Sequence, residues 1–179
     1  FYYGTVRRAE RKLVELAATD PLTGLSNRRN LRVLTEQVLA QARRAGPPTA
    51  LVIVDIDNFK HTNEQHGHEV GDTVLVAIAQ VLGGCARVID IVARVGGEEF
   101  AVILPNTDTE GALEVAERMR TAVGQASWLA QRATISIGVA TLQPAEDAGG
   151  FYSRADAALY AAKAAGRNRV ELAPAGGSA

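Results

Sequence analysis

A pair of glycines between two apolar runs, in the stretch from Ala93 to Leu104 (ARVGGEEFAVIL), constrains this chain more than any other feature. Strand-forming residues on both sides of Gly96-Gly97 read as two strands joined by a tight hairpin, because glycine reaches the positive φ that two-residue turns need. Helical and strand periods alternate elsewhere along the chain, so a central hairpin makes the sheet at least partly antiparallel. The expectation is an α+β fold, an α/β sandwich without internal repeats. Glu98 and Glu99 follow the glycines at once, and a turn has no need of them.

The remaining elements follow from apolar spacing. Leu31, Leu34 and Val38 mark a helix that stops before Gly46-Pro47-Pro48, and ALVIVDI (50–56) is a buried strand by its length and β-branched content. A helical segment runs from about Glu69 to Gly83, and another passes through Leu113, Ala116, Met119 and Val123. ATISIGVA is a strand, and the last helix, FYSRADAALYAAKAA, stops at Gly166, which suits a C′ position. Near the start, Tyr2, Val6, Ala9, Leu13 and Leu16 form a coiled-coil seam of about two heptads, for which a lone amphipathic helix is the alternative. The expected organisation is an N-terminal signalling helix (1–18), one domain (19–172) and a disordered tail (173–179).

Bulk properties narrow the function. A chain of 179 residues, 47% apolar and 22% charged, fills one core, and a net charge of −1 argues against a nucleic-acid polymer as partner. The single cysteine, Cys85, cannot form an internal disulfide and reads as a buried reduced thiol, which fits a cytoplasmic domain. No apolar run is long enough for a membrane span, and no signal peptide is visible. A start at Phe1 is expected of a piece of a longer protein.

Asp55 and Asp57 end the strand LVIVDID, and with a spacing of two they project to one side. If the second hairpin strand lies beside it, Glu98 and Glu99 join them at one end of the sheet. Two charges about 4 Å apart repel by roughly 4 kcal/mol at an effective dielectric near 20, so something positive belongs there. Oxygen-only ligands suit Mg²⁺ with substrate phosphates. Either acidic pair alone is equally well a solvated strand end. Asn63 and Asp72 bracket a segment holding Gly67 and Gly71, which reads as a ligand-binding loop, whereas either residue taken alone is better read as ordinary loop or N-cap chemistry. An aspartate there would accept from guanine N1–H and N2–H, with discrimination against adenine of up to roughly 10⁴-fold. His61, His66 and His68 are too few and too local for a zinc site and read as loop or capping residues.

The motifs DPLTGLSNRR, DIDNFKHTNEQHGHEVGD, RVGGEEF, ISIGVA and ADAALYAAKAAGRNRV stand in the order and spacing of GGDEF-domain diguanylate cyclases, so the stretch from Thr19 to Val170 resembles that family. The resemblance implies a class III nucleotidyl-cyclase-like fold, with a central, mostly antiparallel sheet surrounded by helices. It implies the condensation of two GTP into cyclic di-GMP in a Mg²⁺- or Mn²⁺-dependent homodimer controlled by an upstream sensory region. It assigns Asp55, the Ile56 carbonyl and Glu98 to the metal, with Glu99 beside them and Lys60 in the catalytic set. Glu98 stands where the name-giving motif has Asp. Asn63 and Asp72 would read guanine, phosphates would approach the backbone near Phe59 and Lys60, and Lys163 and Arg167 would hold the outer phosphates. Arg87 and Asp90 resemble the family's inhibitory R-x-x-D site, which Arg118 of a neighbouring domain would complete. Read without the resemblance, Arg87 and Asp90 are a local ion pair, and Lys163 and Arg167 a solvated helix end. A silent GTP or cyclic di-GMP sensor is the alternative function.

Overall fold

The computed structural model describes residues 13, 18–126 and 132–175. Of the proposed N-terminal seam, only Leu13 falls among them, helical and exposed; Tyr2, Val6, Ala9 and Leu16 lie outside the described residues. The described part contains strands β1 (Ser26–Asn27), β2 (Thr49–Ile56), β3 (Ile91–Arg94), β4 (Glu99–Pro105), β5 (Ile135–Thr141) and β6 (Val170–Leu172). Its helices are α1 (Arg28–Ala45), α2 (Phe59–His66), α3 (His68–Cys85), α4 (Thr109–Gln125) and α5 (Ala148–Ala164).

The strands form one sheet in the order β1-β3-β4-β2-β5-β6. Its four central strands pair antiparallel, and the two short edge strands pair parallel, β1 with β3 and β6 with β5. This is the expected α+β sandwich. β2 is buried along its whole length because helices cover both faces. Ala50, Val52, Val54 and Ile56 share a core with α3 and α4, while Leu51 and Ile53 share the opposite core with α1 and α5.

α5 approaches the sheet closely because small residues line its inner face. Ala155, Ala158, Leu159 and Ala162 are buried there, and a Cβ at Gly138 of β5 would stand 2.1 Å from the Ala155 carbonyl oxygen. The helix ends as its sequence suggests: Gly166 follows it at φ 117 with its N–H on the Lys163 carbonyl. Lys163, one residue past the last buried alanine, is thereby carried to the end of β2 where the acidic residues sit.

Several expectations change. The segment between Asn63 and Asp72 is not a loop but two helices broken only at Gly67, whose φ of 87 no β-branched residue would accept. His61 and His66 are exposed residues of α2, and His68 opens α3. Cys85 is a half-buried rather than fully buried free thiol. Ala173, the first residue of the expected tail, is buried and donates its N–H to the Val139 carbonyl.

Candidate active site

The carboxylates meet by strand register. Asp55 lies opposite Glu99 on β4 and opposite Ser136 on β5, and the Ile56 N–H donates to the Glu98 carbonyl over 3.2 Å. Asp55 is only 6% exposed. Burial, with the charges of Glu98 and Glu99 adding to it, pushes its carboxyl up to about 6, although the Lys163 ammonium opposes the rise. Lys163 Nζ stands 3.0 Å from Asp55 Oδ2 and supplies the positive charge that the cluster requires. Glu99 accepts a 2.6 Å hydrogen bond from the Tyr152 hydroxyl of α5. Burial, then that bond, drives Tyr152 ionisation far above its ordinary value, so the hydroxyl remains a donor.

The turn that presents Glu98 is longer than a two-residue hairpin. Arg94 pairs with Phe100, so Val95 through Glu99 lie between the last partners, and both Val95 N–H and Gly96 N–H donate to the Glu99 carbonyl. Neither glycine takes positive φ, and a Cβ would meet nothing at Gly97 and only Glu99 Cβ, at 3.7 Å, at Gly96. Conformation and packing therefore leave these glycines unexplained, and both are exposed. The turn is held from outside. The Arg94 guanidinium donates to the carbonyls of Gly96 and Gly97 and to the Asp20 carboxylate, with which it forms a 3.2 Å ion pair. Burial raises the Asp20 carboxyl, but hydrogen bonds from Thr23 and the Arg94 charge outweigh it and hold the group below its usual range. Asp20, Arg94 and Tyr152 carry no role in the sequence reading.

β2 ends at Ile56, so Asp57 lies in the turn beyond the strand rather than at its end, and it does not join the cluster. Its oxygens accept from Ser136 Oγ (2.6 Å), Thr134 Oγ1 (2.7 Å) and the Asn168 N–H (3.0 Å).

On the far side of Gly67, Asn63 of α2 packs its amide into the place a Cβ of Gly71 would occupy, with Oδ1 1.8 Å from that position. That Oδ1 is buried without a hydrogen-bond partner among the described residues. Asp72 is exposed on α3 and lines a groove of about 390 Å³ with Leu22, Val76 and Ala77. Phe59 is a core residue, so only its backbone can face a ligand. Lys60 extends into solvent, 3.8 Å from Glu64, and its side chain is not brought to the carboxylates. Arg167 is exposed, at φ 63, in the loop after α5.

At the other end of the sheet, Arg87 and Asp90 form the local ion pair, 2.9 Å apart, and Arg87 also donates to the Pro105 carbonyl and Thr107 Oγ1. Arg118 of α4 donates to the Cys85 carbonyl, two residues before Arg87 in the same chain.

A single sheet thus gathers Asp55, Glu98, Glu99 and Lys163 at one end, beside the exposed Gly96-Gly97 turn. The family described as "Diguanylate cyclase, GGDEF domain" matches residues 17–169, and the chain belongs to it. It is 43% identical to diguanylate cyclase DgcM of Escherichia coli K12, over 92% of this chain and 40% of that protein. It is 42% identical to the response regulator PleD of Caulobacter vibrioides NA1000, over 88% of this chain and 36% of that protein. The chain thus spans about two fifths of the length of these relatives. The crystal structure of the coiled coil and GGDEF domain of DgcB from Caulobacter crescentus, in complex with c-di-GMP, superposes with a TM-score of 0.91 at 34% identity, covering 96% of this chain and 94% of that one. The active GGEEF domain of a diguanylate cyclase from Vibrio cholerae gives a TM-score of 0.80 at 35% identity, covering 85% and 99%.

Proposed function

We propose that this domain joins two GTP into cyclic di-GMP, with release of two pyrophosphates, when two copies face each other and a divalent cation, Mg²⁺ or Mn²⁺, is bound. The convergence of Asp55, Glu98 and Glu99 beside Lys163 carries this reading. The names of the relatives agree with it, and the Vibrio cholerae domain described as active has the same GGEEF turn.

The donor chemistry suits such a cation, although no three acidic side chains among the described residues are already grouped around one position. Asp55, Glu98 and the Ile56 carbonyl would hold it through hard oxygens, with Glu99 offering a further one. When bound, the cation neutralises phosphate charge and polarises the attacking hydroxyl. The chain's own residues do the rest. Lys163, one-third exposed at a helix end, exchanges Asp55 for the outer phosphates, and Arg167 joins it there. Asp72 accepts from guanine N1–H and N2–H, and the unpartnered Asn63 Oδ1 offers a further acceptor nearby. The exposed Gly96-Gly97 turn, which carries no side chains, admits the triphosphate, and Phe59 and Lys60 contribute backbone N–H groups to it. The 3′-hydroxyl of one GTP then attacks the α-phosphate of the other in line and displaces pyrophosphate; a second attack closes the ring. Each domain holds one GTP, so the reaction needs two domains. Arg87 and Asp90 bind the product as an inhibitor by exchanging their mutual ion pair for guanine or phosphate, with Arg118 of a facing domain.

Incubation with GTP and Mg²⁺ tests this reading. Cyclic di-GMP detected by mass, with two pyrophosphates per molecule, is expected. GTP that binds and stays unchanged would make the domain a silent sensor.

A further inference from the structure

The loop between α5 and β6 adopts a backbone that its residues would not choose. Gly166, Arg167 and Asn168 stand in succession at φ 117, 63 and 47, so two consecutive residues with side chains occupy the left-handed region. Such a run persists only where the surroundings over-determine it, and strain of this kind gathers at functional sites. Here three grips converge. The Asn168 N–H donates to Asp57 Oδ2 over 3.0 Å, and Arg120 Nη1 of α4 donates to Asn168 Oδ1 over 2.9 Å. The Arg167 N–H donates to the Ala162 carbonyl over 3.0 Å. Asp57 is itself fixed by Ser136 and Thr134, and Arg120 by a bidentate pair with Glu117, so both anchors are rigid before they touch the loop.

We propose that Asn168, clamped between Asp57 and Arg120, is a positioning residue that holds Arg167 in the left-handed geometry from which its guanidinium reaches the outer phosphates. This explains why Asp57, an acid at the mouth of the site, spends both oxygens on neutral donors. It also gives Arg120 a task beyond its exposed pair with Glu117. Asparagine suits the clamp because it tolerates the left-handed region and offers a side-chain acceptor in the direction of α4. The inference rests on the reading that Arg167 binds phosphate.

The test is nucleotide affinity measured by calorimetry on the full chain with Mg²⁺, using 3′-deoxy-GTP, which lacks the attacking hydroxyl, and GMP, which lacks the outer phosphates. Asn168→Ala is expected to weaken 3′-deoxy-GTP by about tenfold while leaving GMP unchanged. Arg120→Ala acts on the same loop from outside and is expected to shift affinity in the same direction; it replaces Asn168→Ala if that variant fails to fold. The double variant Arg167→Ala/Asn168→Ala should bind no more weakly than Arg167→Ala alone, because Asn168 acts through Arg167. Multiplying effects, or equal losses for GMP and 3′-deoxy-GTP, would overturn the clamp. So would a loss in Arg167→Ala with none in Asn168→Ala or Arg120→Ala. Unchanged affinity in Arg167→Ala itself would remove the phosphate reading, and the clamp with it.

Discussion

Asp55 bears its charge against its own surroundings. Burial and two neighbouring glutamates raise its carboxyl from an ordinary 3.8 to about 6, so the folded state binds more protons than the unfolded one between those values. Stability therefore falls as pH rises from about 4 to about 6, and the whole penalty stands above that window. In cation-free protein Asp55→Asn should raise stability at pH 8, by at most about 3 kcal/mol, with the gain vanishing below pH 4. Denaturant melts at both values check this, and no gain at pH 8 would mean that the cluster is not frustrated. Asp72 presents the opposite case. Discrimination of roughly 10⁴-fold would need a buried carboxylate, but Asp72 is exposed, so water competes for its oxygens. GTP should exceed ATP in kcat/KM by about 10–100-fold rather than 10⁴, and Asp72→Ser should erase most of that margin. Equal turnover of both nucleotides by the unmodified chain would remove Asp72 from guanine recognition.

At the scale of elements, the approach of α5 to β5 fixes where Lys163 sits. A methyl group at Gly138 would run into the Ala155 carbonyl and the Leu159 backbone, at 2.1 and 2.3 Å. Gly138→Ala should therefore cost about 1–3 kcal/mol or more and lower cyclic di-GMP synthesis by displacing Lys163, as a melt and a rate measured together would show. An unchanged melt would mean that the helix yields freely. The strand ISIGVA was legible from its apolar residues, yet the reason for its glycine lies in a helix far along the chain. The same division runs through the whole fold. β2, β4, α1, α3, α4 and α5 have enough apolar period to be read directly, and the meeting of Asp55 with Glu98 and Glu99 follows once two strands are neighbours. α2 was missed because Phe59 is its only buried residue, so FKHTNEQH carries no apolar stripe. β1 and β6 are two and three residues long and owe their existence to their partners at the sheet edges. The Gly-Gly turn was read as two residues because its true scaffold, Arg94 gripping Asp20, joins positions 74 residues apart.

Helices cover both faces of the sheet, and the acidic cluster and the Arg87–Asp90 pair stand at opposite ends of it. Arg87→Ala should leave synthesis intact but raise the concentration of cyclic di-GMP needed for inhibition by at least about tenfold, since a forked guanidinium contact is lost. Unchanged inhibition would place the product elsewhere. In the proposed mechanism two domains, each holding one GTP, carry out one reaction. Its most direct measurement is the initial rate of cyclic di-GMP formation from saturating GTP and Mg²⁺, followed by mass across a dilution series of this chain. The rate is expected to rise with roughly the square of protein concentration while monomers dominate, then to become linear as dimers saturate. Activity per milligram that stays constant across concentrations where sedimentation finds only monomers would contradict it.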